Sequence, residues 1–250
     1  MSGLPTLTVS IVSHRQGALA AHVMHDLERC IAVPLEVILT INVPEALPFD
    51  PGDFGYPVKV IGNASPKGFG ANHNAAFRAA RGEYFCVMNP DIRLGADPFP
   101  GLLRELAKRK VGVAAPAVKS PAGTLEDSAR RFPTVWTLAN KAFSRGVQVD
   151  YPSPAGAFDP DWLAGMCLVF RTATFRELRG FDEGFFLYYE DVDLCMRLRA
   201  AGYTARWLPQ VAVVHDARRE SRRNLRYLAW HVKSVLRYLA VSRRRYAWSA

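Results

Sequence analysis

The chain has 250 residues, 49% of them hydrophobic, with 32 Lys and Arg against 23 Asp and Glu and a net charge of +9. That apolar share excludes disorder as the overall state, and the length suits one α/β domain with a single core. Residues 217–250 hold ten basic residues and one acid, Glu220, so the whole excess lies in this tail and the remainder is neutral. A basic nucleic-acid groove across the body is thereby excluded, and the tail is left as the place for an anionic partner.

In chain order, apolar runs alternate with amphipathic ones. Strands are predicted at Leu7 to Ser13, Leu35 to Ile41, Val58 to Ile61, Tyr84 to Met88 and Gly112 to Ala117, with helices near 17–30, 71–81 and 99–110. This alternation predicts a Rossmann-like α/β fold, a mostly parallel, buried sheet flanked by helices. Ligands gather beyond the carboxyl ends of such strands, so polar residues directly after a strand are the first candidates. From Ser120 to Asp161 the pattern weakens into Pro, Gly and Ser, either a substrate loop or a long connection. A strand at Met166 to Phe170, a short helix from Thr174, a helix from Glu190 to Ala201 and strands at Tyr203 to Leu208 and Val211 to Val214 follow. Gly202 stands where a left-handed helix stop belongs.

Cys30, Cys86, Cys167 and Cys195 are far apart with no C-x-x-C, and read as buried thiols of a reducing compartment. The start MSGLPTLTVS has no signal core, and no apolar run approaches the ~20 residues of a membrane span. A cytoplasmic protein is expected.

Three stretches could carry chemistry. The strand Tyr84 to Met88 runs into Asn89-Pro90-Asp91, which puts a carboxylate where a cation bridging a diphosphate would need an oxygen ligand. These residues also make ordinary turns, so both readings stand. Lys67-Gly68-Phe69-Gly70-Ala71-Asn72-His73-Asn74 is a glycine-rich turn into a helix, either a plain connection or amides that receive a phosphate or a sugar hydroxyl. It is not a P-loop, because no G-K-[ST] follows. The densest stretch is Gly180 to Arg197, GFDEGFFLYYEDVDLCMR, in which aromatics lead straight into acids at a helix start. Asp193 is expected to pair with Arg197 as a surface ion pair at i,i+4. Glu190 and Asp191 remain candidates, since a packed aromatic setting is unusual for acids that only cap a helix. His215 ends a strand and is either structural or a ligand.

The order N-P-D, then Trp162-Leu163-Ala164-Gly165, then G-F-D-E-x-F-F-x-Y-x-E-D-V-D-L-x-x-R, then a strand ending in His resembles the family 2 glycosyltransferases of GT-A fold, most of all a bacterial rhamnosyltransferase-like branch. The resemblance spans roughly Thr6 to Asp216 and implies a GT-A domain over 1–216. It implies an inverting, metal-dependent hexosyl transfer from a nucleotide diphosphate-sugar, dTDP-L-rhamnose first among them, to a glycan or lipid-linked saccharide in cell-envelope polysaccharide synthesis. On the matching positions it implies Asp191 as general base with Glu190 beside it, and Asp91 and His215 on a Mg²⁺ or Mn²⁺. It also implies a donor side of Ser13, Asn42, Gly68, Gly70, His73, Asn74, Asn89 and Asp91, and an acceptor wall at Trp162, Gly165 and Tyr189. Two departures stand out: Thr40-Ile41-Asn42 lacks the family's nucleotide-reading Asp, and Ser13-His14-Arg15 replaces Thr-Tyr-Asn. They motivate an alternative, a catalytically weak sugar-nucleotide-binding partner of the same fold. Nucleotidyl transfer, a further class on α/β architecture, would release pyrophosphate instead.

In the tail, Arg222, Arg226, Lys233, Arg237 and Arg244 fall in one stripe of a helix over 218–245, beside Leu225, Leu228, Val232, Leu236 and Leu239. The expectation is a basic C-terminal helix that packs on the body, meets an anionic membrane surface, or does both.

Overall fold

The structure is a computed structural model that describes residues 5–134, 136–137, 150–151, 156–216 and 225–245, with side chains of the last segment given for 226–242. Eight strands form one sheet. In chain order they are β1 (Leu7–His14), β2 (Leu35–Val43), β3 (Val58–Gly62), β4 (Tyr84–Met88), β5 (Ile92–Arg93), β6 (Val111–Lys119), β9 (Cys167–Arg171) and β10 (Thr204–His215). Their spatial order is β3-β2-β1-β4-β9-β6-β10-β5, and β7 (Ala129–Arg130) and β8 (Trp162–Leu163) make a separate small ladder.

The first four sheet neighbours are parallel because each crossover carries enough chain for a helix or loop on one face. β1 shows how both faces are filled. Leu7, Val9 and Ile11 point to Ala20, Val23, Met24 and Leu27 of α1 (Gly17–Cys30), all fully buried and spaced as one helix face. Each such aliphatic side chain contributes ~1.5–3 kcal/mol on burial. The opposite face of β1 holds small polar groups, each partnered: Thr8 donates to Glu36 at 2.7 Å and Ser10 lies 2.8 Å from His73 Nδ1. That face is covered by α2 (Phe69–Phe77), α4 (Thr172–Glu177) and α5 (Glu190–Ala200), while α3 (Phe99–Leu106) sits with α1 on the other.

β9 runs antiparallel between β4 and β6. Its entry therefore lies at the same sheet edge as the exits of the parallel strands, which brings Trp162 to Met166 to the ligand-binding edge. The two strands predicted at 203–214 form one strand, β10, whose register with β6 slips between Leu208 and Ala212. Pro209 stands in that slip, where a residue without an N–H costs no ladder bond. Gly202, at φ +83°, is the left-handed stop after α5. The Asp193–Arg197 pair forms at 2.8 Å but is buried rather than at the surface, because the Arg197 guanidinium also donates to the carbonyls of Leu178 and Gly180.

The tail helix α6 is described over Leu225–Arg245, 21 residues; the expected start at 218 and Arg222 lie outside the described residues, as does the Arg244 side chain. Arg237 is not part of a solvated stripe. Its guanidinium holds both carboxylate oxygens of Asp182 at 2.8 and 2.9 Å and covers the Phe185 ring. Ser234 donates to the Leu187 carbonyl, and Tyr238 is buried with its hydroxyl on the Pro133 carbonyl. Among the described residues no helix is long and apolar enough to cross a membrane.

Candidate active site

A cleft of about 1230 Å³ opens along the carboxyl edge of the sheet. Of the residues expected at a site, Asn42, His73, Asn89, Asp91 and His215 line it; Ser13, Gly68, Gly70, Asn74, Trp162, Gly165, Tyr189, Glu190 and Asp191 do not.

Asp91 and His215 meet because β5 and β10 pair with Ile92 opposite His215, and Asp216 N–H donates to the Asp91 carbonyl. His215 Nε2 lies 3.2 Å from Asp91 Oδ2, and Nδ1 lies 2.8 Å from Glu126 Oε2. Burial alone would depress the imidazole, but the hydrogen bonds and charges of Asp91 and then Glu126 outweigh it and lift its pKa to about 9. Glu126 was invisible to sequence reasoning, since it stands in the aperiodic stretch after Ser120. Asp91 Oδ1 is buried with no hydrogen-bond partner. An orphaned carboxylate oxygen on the cleft wall fits a divalent cation, which His215 joins as a ligand only by giving up its Nε2 proton and the contact with Asp91. Among the described residues no group of three His, Cys, Asp or Glu could hold a metal by itself.

At the other end of the cleft, Asn42 lines the wall with its amide fully engaged. Oδ1 accepts from Lys67 N–H at 2.8 Å and Asn63 at 2.9 Å; Nδ2 donates to the Lys67 carbonyl at 3.0 Å and lies 3.2 Å from His14 Nδ1. His73 is fully buried, and desolvation pushes its pKa down to about 3. Ser13 bonds Glu45 at 2.5 Å and accepts from Gln16 N–H, which shapes the turn after β1.

The glycine turn serves packing. A Cβ at Gly68 would stand 2.6 Å from the Phe186 carbonyl oxygen, and one at Gly70 2.7 Å from the Phe181 side chain. Asn74 accepts from Phe181 N–H and donates to the Phe181 carbonyl and Glu183. α2 is thus fastened to the segment that leads into α5.

That segment ends in Tyr188 and Tyr189, both left-handed at φ 71° and 69°, a conformation costing ~1–2 kcal/mol per residue. Contacts from α6 offset it: the His231 ring sits 5.5 and 5.6 Å from the two tyrosines, and Tyr238 lies 5.3 Å from Tyr189. Glu190 follows, buried, with Oε2 unpartnered. Burial, reinforced by the neighbouring Asp191 charge, holds its pKa well above the usual carboxylate range. Asp191 keeps some exposure. Its Oδ2 accepts from Gly165 N–H and its Oδ1 from Val192 N–H, both at 2.9 Å. Burial raises its pKa against these bonds and the Arg130 charge. Arg130 lines the cleft, pairs with Asp127 at 2.9 Å and lies over the Trp162 ring, so the ladder of β7 and β8 joins the cleft to Asp191. Gly165 backs onto Phe69, itself a cleft residue. Asp191 stands one layer behind that wall.

A carboxylate–histidine pair and an acidic helix start thus lie along one edge of a buried α/β sheet, the edge at which such sheets bind ligands. Residues 84–250 match Glycosyl transferase family group 2, and the chain belongs to that family. It is 31% identical to "Rhamnosyltransferase WbbL" of Escherichia coli over 70% of this chain and 71% of that protein. It is 31% identical to an "N-acetylglucosaminyl-diphospho-decaprenol L-rhamnosyltransferase" of Mycobacterium tuberculosis over 63% of this chain, spanning 55% of that relative. Solved structures share the fold at 16% identity. A mannosyltransferase from Pyrobaculum calidifontis, in complex with GDP-Man and Mn²⁺, superposes with a TM-score of 0.65 over 97% of this chain and 65% of that one. GalNAc-T7, with UDP, GalNAc and Mn²⁺, gives 0.67 over 88% and 45%. The GT-A fold and rhamnosyltransferase-like family expected from the motifs are thereby established.

Proposed function

We propose that the chain transfers a sugar, with inversion, from a nucleotide diphosphate-sugar to a hydroxyl of a glycan or lipid-linked saccharide in surface-polysaccharide synthesis. The names of its relatives make L-rhamnose the first sugar to test, with dTDP, as the motif resemblance implies, its first carrier. The observation that carries this reading is the meeting of Asp91 and His215 on the cleft wall, with one carboxylate oxygen left over.

Asp91 and His215 would hold a Mg²⁺ or Mn²⁺, which supplies charge stabilisation to the departing diphosphate. Glu126 fixes the imidazole from behind by its bond to Nδ1. Asp191 takes the acceptor proton. A carboxylate at a helix start is ordinarily a weak base because the dipole favours its ionised form, but burial here raises its pKa and strengthens it. The two backbone N–H bonds aim its oxygens and hold it beside Gly165. Phe69 and Gly165 separate Asp191 from the cleft, and Trp162, Gly165 and Tyr189 would shape the acceptor's approach to it.

A donor screen that follows nucleoside diphosphate release across common sugar nucleotides, with and without Mn²⁺, tests the reading. Metal-stimulated release of a nucleoside diphosphate, dependent on a saccharide acceptor, is expected. Release of pyrophosphate, or of nothing from any donor, would sink it.

A further inference from the structure

α6 presents two faces of opposite use. Its inner face carries Ser234, Arg237 and Tyr238 and is fastened to Leu187, Asp182 and Pro133. Its outer face carries Leu228, Val232 and Leu236, one turn apart, which are 58%, 49% and 63% exposed. Large aliphatic groups in such a row are not the usual surface of a packed helix. Arg226 and Lys233, both exposed, run along one edge of the row, and α6 contains no acidic residue. The surrounding tail, 217–250, has ten basic residues and one acid. We propose that this outer face lies on an anionic lipid surface, with Leu228, Val232 and Leu236 at the level of the acyl chains and Arg226 and Lys233 at the headgroups.

The assignment differs from a purely electrostatic attachment through a five-residue basic stripe, because Arg237 is spent on Asp182. It also has a geometric result. Tyr227 and Trp230, on the same helix, line the cleft, so a helix lying on the lipid holds the cleft rim at the membrane surface. An acceptor with a lipid anchor would then arrive from the bilayer side; this last step rests on the proposed function, whereas the lipid contact does not.

The test uses the full chain and sedimentation with phosphatidylcholine vesicles, with and without phosphatidylglycerol. Wild type is expected to sediment with the anionic vesicles only, less so in high salt. The double variant Leu228→Glu/Leu236→Glu should lose at least about tenfold in vesicle affinity, and Arg226→Glu/Lys233→Glu a comparable amount. All four side chains are exposed, so an unchanged melting temperature identifies folded variants, and Leu228→Ser/Leu236→Ser serves if the charged pair misfolds. Undiminished sedimentation of the folded leucine variants would overturn the proposal. So would a wild-type chain that ignores anionic vesicles, or one whose outer face proves instead to join two copies, read as a dimer by light scattering that the variants dissolve. Donor turnover in solution is scored separately, so its absence would count against the proposed function and leave the lipid result standing.

Discussion

His215 Nε2 stands 3.2 Å from Asp91 Oδ2, and the second oxygen of that carboxylate is buried without a partner. The backbone brings them together through the short β5–β10 pairing, so the two positions stay adjacent whatever side chains they carry. Asp91→Ala is therefore expected to fold and to lose metal-dependent donor binding. Calorimetry with a nucleotide-sugar and Mg²⁺ reads this directly; binding equal to wild type would remove Asp91 from the metal site.

Asp191→Asn keeps the size of the side chain at the start of α5 but removes the basic oxygen. Turnover should fall ~10²- to 10⁴-fold, the usual worth of a general base, with donor affinity retained. A variant within about tenfold of wild type would shift the base to Glu190.

The buried His73 gives a pH signature of stability. Desolvation holds its folded pKa at about 3, against 6.5 in a free imidazole. The unfolded chain takes up a proton below 6.5 and the folded chain does not, so stability falls as pH drops from 6.5 toward 3. The slope approaches ~1.4 kcal/mol per pH unit, or about 2 kcal/mol at pH 5. In His73→Gln the drop in melting temperature between pH 7 and pH 5 should shrink; equal drops would mean that His73 does not set this dependence.

Arg237→Gln removes the two charged hydrogen bonds that fasten α6 to Asp182. We expect a loss of about 1.5–3 kcal/mol in stability, as for hydrogen bonds to charged groups. Turnover should fall as well, because the segment Asp182 to Tyr189 positions Asp191. Denaturant unfolding and nucleoside diphosphate release measure the two effects, and an unchanged midpoint would show that the pair contributes little.

The parallel half of the fold was legible because buried strands leave uninterrupted apolar runs, as in Leu35 to Ile41, and amphipathic helices leave a 3.6 period, as in α1. The direction of β9 was not, since an apolar run reads the same in either sense, and only pairing with β4 and β6 decides it. Asp91, His215 and Asp191 were singled out by their positions at strand and helix ends, with their roles implied by the motif resemblance. Gly70 and Asn74 were expected at the donor; the structure uses them to grip Phe181, a partner more than a hundred residues away that no local pattern could name. Glu126 and Arg130 escaped notice because the stretch that holds them has no periodicity.

Asn42 carries one more consequence. Lys67 offers it a backbone N–H on one side and a backbone carbonyl on the other, two groups whose donor and acceptor roles are fixed by covalent structure. The amide can therefore face in only one sense, and its NH₂ is what meets His14 Nδ1. A nitrogen that accepts there has no proton of its own, so the neutral His14 ring is the Nε2–H tautomer. Where the family's usual pattern would place a tyrosine, this cleft is lined by an imidazole whose orientation Asn42 holds through Nδ1.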